Sequence, residues 1–193
     1  MFFPSVKIYG DISTKRLILR EPLISDADDI FELCSTLDAT RFVDWYPHTD
    51  KKQSLAYIRY LRRQKALFNL NSYTWFVENE EDKKVIATIS LTELDSSGKI
   101  ATVGYTLNQR YQHKGYATEA LLGLMKYLFQ RENIERIQAK VLPENLSSVK
   151  LLKRVGMKQE ALLKKGVSIK NELRDLAIYG ILKDEFFSLK PDV

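Results

Sequence analysis

QHKGYATEAL, Gln112 to Leu121, sets a basic edge and an open glycine directly before residues that recur at helical spacing. Ala117, Ala120, Leu121, Leu124 and Leu128 share one face, which predicts a helix from Gly115 to about Arg131. Upstream, ATVGYTLN alternates as a strand and QRYQHK forms a short loop. In such a strand-loop-helix unit the first-turn amides, Lys114 to Thr118, point unpaired out of the helix mouth. Gly115 lets a ligand approach the backbone and Ala117 keeps the wall low. The helix dipole adds to the attraction of His113 and Lys114 for phosphate, so the stretch suits a pyrophosphate. The alternative is structural, with Gly115 shaping a loop and Ala117 packing. Neither GxxxxGK[ST] nor GxGxxG occurs here, so the stretch is not a P-loop or a dinucleotide fingerprint.

Working outward, RLILRE, 16–21, alternates as a strand ended by Pro22, and Ser25 or Asp26 is placed to cap a first helix. A second helix covers roughly Lys51 to Leu67. YTWFVEN and VIATISLTEL, split by the polar turn at 80–84, predict antiparallel strands, and ATVGYTLN follows the DSSGK turn. After the central helix come a strand, RIQAKVL, a helix from Asn145 to Arg154 stopped at Gly156, and strands in MKQEALL and LRDLAIYGIL. This order specifies an α+β domain, 1–193 with its core at about 14–187: a mostly antiparallel mixed sheet of about seven strands packed with helices.

The 193 residues suit one core, and 45% hydrophobic with 28% charged residues is an ordinary globular balance. No apolar run approaches the roughly 20 residues of a membrane-spanning helix. MFFPSVKIYGDIST lacks an apolar signal core, and the single Cys34 has no partner for an internal disulfide; both lead to an expected cytoplasmic location. Cys34, at helical spacing in DIFELCSTL, reads as a buried core thiol. The net charge of +5 favours anionic partners without naming one.

QHKGYA matches the Q/R-x-x-G-x-G/A signature of the GCN5-related N-acetyltransferases, in the strand-loop-helix context that signature requires. PENLSSVKLLKRVGM resembles the N-x-x-S and GF/GM segment of the same superfamily, and GYTLNQRYQHKGYATEAL is similar to the branch typified by the ribosomal-protein N-terminal acetyltransferases. The resemblance spans roughly Thr14 to Phe187. It implies helices on both faces of the sheet and a cleft between two splayed strands that takes acetyl-CoA as cosubstrate, with no metal. By position, Gln112, His113, Lys114, Gly115, Tyr116, Ala117 and Thr118 would hold the pyrophosphate, Leu107 would pair with pantetheine through its backbone, and Asn145 would contact the cofactor. Ser148 would stand near the leaving thiolate as its proton or hydrogen-bond donor, with Ser147 beside it as an alternative. Amides near Tyr105 and Thr106 would face the developing oxyanion.

Two positions where relatives carry a glutamate base hold Thr102 and Val167 here, and Glu93 is the best remaining carboxylate. An α-amine, with a pKa of about 8, is partly neutral near pH 7, whereas a lysine-like amine at about 10.4 is almost wholly charged. A weak base therefore favours a protein or peptide N-terminus as acceptor. The alternatives are a small amine, such as a polyamine or aminoglycoside, and a non-catalytic acetyl-CoA sensor. RFVDWYPH, 41–48, either lines the acceptor side of the cleft or packs Trp45 into the core; spacing gives His48 no role. Trp45, Tyr46, Tyr73 and Trp75 lack the basic framework of a nucleic-acid surface, so no direct nucleic-acid binding is expected, and the protein is expected to be a monomer or homodimer.

Overall fold

Apolar runs whose consecutive residues are buried on both faces build the centre of the sheet, and 3.6-residue periodicity builds its covers. The computed structural model describes residues 10–66, 72–131 and 133–189. In chain order the elements are β1 (Ile12–Ser13), β2 (Leu17–Arg20), α1 (Ala27–Cys34), α2 (Leu37–Thr40), α3 (Lys51–Ala66), β3 (Tyr73–Asn79), β4 (Lys84–Leu94), β5 (Ile100–Leu107), α4 (Tyr116–Arg131), β6 (Arg136–Val141), α5 (Leu146–Arg154), β7 (Lys158–Ile169), β8 (Glu172–Leu182) and α6 (Lys183–Ser188). The opening segment 1–9 and the expected helix end at Leu67 lie outside the described residues.

The strands form one sheet of eight in the order β1-β2-β3-β4-β5-β6-β8-β7. Every neighbouring pair is antiparallel except β5 with β6, joined through α4 as a strand-helix-strand unit. Helices cover both faces. On one, Leu121, Leu124, Met125 and Leu128 of α4 pack on Leu19, Trp75, Val77, Ile89 and Val103. On the other, Ile30 and Leu33 of α1 and Ile58 of α3 pack on Phe76 and Val85.

The eighth strand is the two-residue β1, too short to be read as alternation, whose Ser13 pairs with Ile18. β7 runs on to Ile169 where the sequence predicted an end near Leu163; register shifts between Gln159 and Ala161 and between Leu163 and Val167 interrupt its alternation. Neither Ser25 nor Asp26 caps α1 through its side chain. Asp26 turns back instead, accepting from the Leu23 N–H at 2.8 Å and from Arg20 Nη2 at 2.8 Å, while Arg20 Nε reaches Glu78 at 2.7 Å. This half-buried network ties the first helical turn to β2 and β3, and both carboxylates hold the guanidinium charged. At the end of α5, Gly156 has φ +89°, and its N–H and that of Met157 close onto the carbonyls of Lys153 and Leu152.

Candidate active site

β5 and β6 pair only from Ile100–Arg136 to Val103–Ala139. Beyond that point β5 stays with β4, through Ser90–Gly104, Ile89–Tyr105, Thr88–Thr106 and Ala87–Leu107. β6 stays with β8, through Lys140–Ile178 and Val141–Ala177. Two parallel strands that part while each keeps its other neighbour leave a wedge, and the structure has a cleft of about 610 Å³ there. Gly104, Tyr105 and Thr106 line one wall, Ala139 to Leu142 the other, and Asn145 and Ser148 of α5 also line it.

Asn145 is the N-cap of α5, its Oδ1 accepting from the Ser148 N–H at 3.2 Å. The cap fixes the first turn, so that Ser148 lines the cleft while Ser147 does not and is exposed. Tyr105 Oη donates to the Ser148 carbonyl at 3.5 Å, holding α5 against β5. Burial pushes the Tyr105 phenol up to about 12, so it stays protonated near neutral pH.

At the far end of β5, the loop Gln112 to Gly115 is exposed and α4 opens at Tyr116. Gly115 has φ +84° and His113 +62°, the left-handed backbone that turns the chain into the helix mouth. The Glu119 N–H reaches the Gly115 carbonyl at 3.0 Å, so the amides of Tyr116, Ala117 and Thr118 precede the first intrahelical bond. Sequence reading missed Arg16, which brackets this loop from β2's approach. Its Nη1 donates to the Lys114 carbonyl at 3.1 Å, its Nε to Glu119 at 2.7 Å, and its guanidinium lies 4.3 Å from the Tyr116 ring centre. Glu119 also accepts from Thr14 Oγ1 and the Arg16 N–H, both at 2.7 Å. Burial alone raises the Glu119 pKa, but these bonds outweigh it and hold the carboxyl below its ordinary value. Arg154, at the end of α5, donates to Thr118 Oγ1 at 3.3 Å and brings a further cation to the mouth. No local pattern marked Arg16 or Arg154, because both reach the loop through tertiary packing.

The opposite end of the cleft is built from the 41–48 segment. Phe42, Val43, Asp44, Trp45 and His48 line it, with Cys34 of α1 and Tyr57 of α3. Trp45, partly buried, packs against the Ile30–Ile58 core while it lines the cleft. The turn Lys170–Asn171, with φ +51° and +66°, folds the β7–β8 hairpin over this end. Lys170 clasps it: its N–H donates to Asp44 Oδ1 at 2.7 Å and its Nζ to the Thr40 carbonyl at 2.7 Å. Val167 and Ile169 line the cleft beneath. Burial pushes the Cys34 thiol up to about 12, which keeps it an inert core group.

Thr102 is buried and its Oγ1 accepts from Gln138. Glu93 is mostly exposed, does not line the cleft, and is held by Lys140 Nζ at 2.9 Å. Leu107 and the 112–118 loop lie outside the cleft volume, at the end of β5 leading away from it.

The model of the family described as acetyltransferase (GNAT) domain matches residues 16–158. An uncharacterized N-acetyltransferase p20 of Bacillus licheniformis is 32% identical over 173 residues, covering 90% of this chain and 96% of that protein. A [ribosomal protein uS5]-alanine N-acetyltransferase of Escherichia coli is 30% identical over 96 residues, 49% of this chain and 50% of that protein. Among solved structures, a ribosomal L7/L12 alpha-N-protein acetyltransferase in complex with coenzyme A superposes with TM-score 0.79 at 18% identity, covering 91% of this chain and 99% of that one. The parted strands, the open helix mouth and the family match agree: the chain belongs to the GNAT acetyltransferase domain family and is an N-acetyltransferase.

Proposed function

We propose that the protein transfers the acetyl group of acetyl-CoA to the α-amine of a protein or peptide. The observation that carries this reading is the parting of β5 from β6 after Val103 and Ala139, with Ser148 on the same cleft. Pantetheine then runs along the unpaired edge of β5 toward Leu107, and the pyrophosphate sits on the amides and cations of Gln112 to Thr118. Asn145, whose side-chain oxygen serves as the cap, contributes its amide NH₂. The thioester lies at Gly104 to Thr106, where backbone N–H groups face the developing oxyanion. The amine attacks the carbonyl carbon, the C–S bond breaks, and Ser148 Oγ–H donates to the departing thiolate. Glu93, bound to Lys140 at the rim, acts as that lysine's counter-ion.

The acceptor class follows from the wall at the 41–48 end. Phe42, Val43, Trp45, Val167 and Ile169 are apolar, and among the described residues Asp44 is the only acidic one lining the cleft. A polyamine or aminoglycoside carries several positive charges and calls for several carboxylates; a peptide N-terminus with an uncharged first side chain does not. The E. coli and L7/L12 relatives named above are ribosomal-protein acetyltransferases, which supports the same class. Thiol release from acetyl-CoA should accompany addition of an Ala- or Ser-initiated peptide and not of spermidine. Release with spermidine alone would replace this acceptor class by a small amine, and acetyl-CoA binding without release from either would favour a sensor.

A further inference from the structure

The reaction needs an acceptor for the amine's proton, and Thr102, Val167 and Glu93 do not provide one in the cleft. We infer that His48 is that acceptor, its Nε2 facing the cleft while its Nδ1–H donates to Ser54. The inference rests on the acetyl-transfer reading of the same cleft. His48 lines it directly. Nδ1 lies 2.9 Å from Ser54 Oγ, and Ser54 is fully buried in α3, so one edge of the ring is anchored in the protein and Nε2 is left for the cavity. The His48 N–H donates to the Cys34 carbonyl at 3.0 Å, and the ring sits 6.0 Å from Trp45 and 6.2 Å edge-on from Tyr57. A ring fixed by an anchored nitrogen, its own backbone and two aromatic neighbours has the preorganisation of a base.

The surrounding charges leave His48 as the group suited to the task. On α1, Cys34 is protonated at neutral pH; on α3, burial keeps the Tyr57 phenol protonated; on β5, so is Tyr105. Lys140 of β6 is a cation held by Glu93, and the Asp44 carboxylate accepts the Lys170 N–H. Burial lowers the His48 pKa against a smaller opposing pull from Asp50, so its imidazole is neutral near pH 7. In the step, the amine nitrogen bonds to the acetyl carbon and loses a proton to Nε2, the C–S bond breaks, and the thiolate takes a proton from Ser148 Oγ–H, which solvent restores. His48 returns its proton to solvent, and amine plus thioester become amide plus thiol.

Two measurements test it. The nitrogen NMR spectrum of the free protein reports the tautomer of His48, assigned by comparison with His48→Gln. Nδ1 protonated and Nε2 bare is expected, and a protonated Nε2 in the neutral ring would overturn the assignment. No acceptor is needed for this reading, so a wrong acceptor class and a wrong base are told apart. In peptide-dependent turnover, His48→Gln should lower kcat by about 10²-fold, remove the acidic limb of the pH profile and leave acetyl-CoA affinity unchanged. A His48→Gln enzyme with the acidic limb intact and near wild-type turnover would equally overturn it.

Discussion

The 112–118 loop beyond β5, proposed as the cofactor seat, and the 41–48 wall of the cleft are built differently. The proposed cofactor seat is local: one segment, Gln112 to Thr118, carries the loop, the helix mouth and the cations, and Arg16 only braces it. The wall proposed for the acceptor is assembled from α1, α3, the 41–48 segment and a hairpin whose tip, Lys170, is more than a hundred residues away in the chain. A site for a shared cosubstrate can be written in one motif, whereas a site for a particular acceptor is composed from parts that packing brings together. The two ends should accordingly fail independently.

Gly115→Glu should have the largest effect. It puts a carboxylate into the proposed pyrophosphate seat and a Cβ at 3.4 Å from Arg16 Nη2, on backbone at φ +84°. Acetyl-CoA affinity should fall by at least about 100-fold, or about 2.7 kcal/mol, by calorimetry, in a protein that remains folded by circular dichroism. Ser148→Ala comes next: turnover should fall about 10–100-fold with acetyl-CoA affinity unchanged. A variant with wild-type turnover would remove Ser148 from the chemistry.

Asp44→Ala, which removes the acceptor of the Lys170 N–H and loosens the hairpin tip while the Nζ–Thr40 bond remains, should raise the KM for a peptide several-fold and leave cofactor binding alone. A change confined to cofactor affinity would mean that the two ends are coupled. The smallest effect belongs to Glu119. Its folded pKa lies below the unfolded value, so its stabilising contribution is full above the unfolded value and is lost as pH falls through the folded one. Glu119→Gln should therefore show a shallower loss of thermal stability on acidification than the wild type. Equal slopes would place the acid sensitivity elsewhere.

Much of this was legible in the chain for physical reasons. Helical spacing after Gly115 read directly as α4, and the short β-branched and aromatic runs YTWFVEN and ATVGYTLN, bounded by polar turns, read as β3 and β5, which bury consecutive residues because helices cover both faces. The strand parting was legible only through family resemblance, since no residue pattern in ATVGYTL or RIQAKVL says where a parallel ladder stops. Asp26 misled as a cap because its carboxylate found Arg20, a tertiary partner stronger than its own helix. β7 was cut short because its register shifts break the alternation. His48 was silent in sequence: its position depends on the buried hydroxyl of Ser54 and the Cys34 carbonyl, contacts that exist only once α1 and α3 have packed on the sheet.

The most direct test of the two-ended cleft is calorimetric titration of acetyl-CoA into the wild type, Gly115→Glu and Trp45→Ala. The expected result is one site per chain in the wild type, retained in Trp45→Ala and lost in a folded Gly115→Glu. Absence of binding to the wild type, or equal affinity in Gly115→Glu, would contradict the assignment of QHKGYATEAL as the cofactor seat.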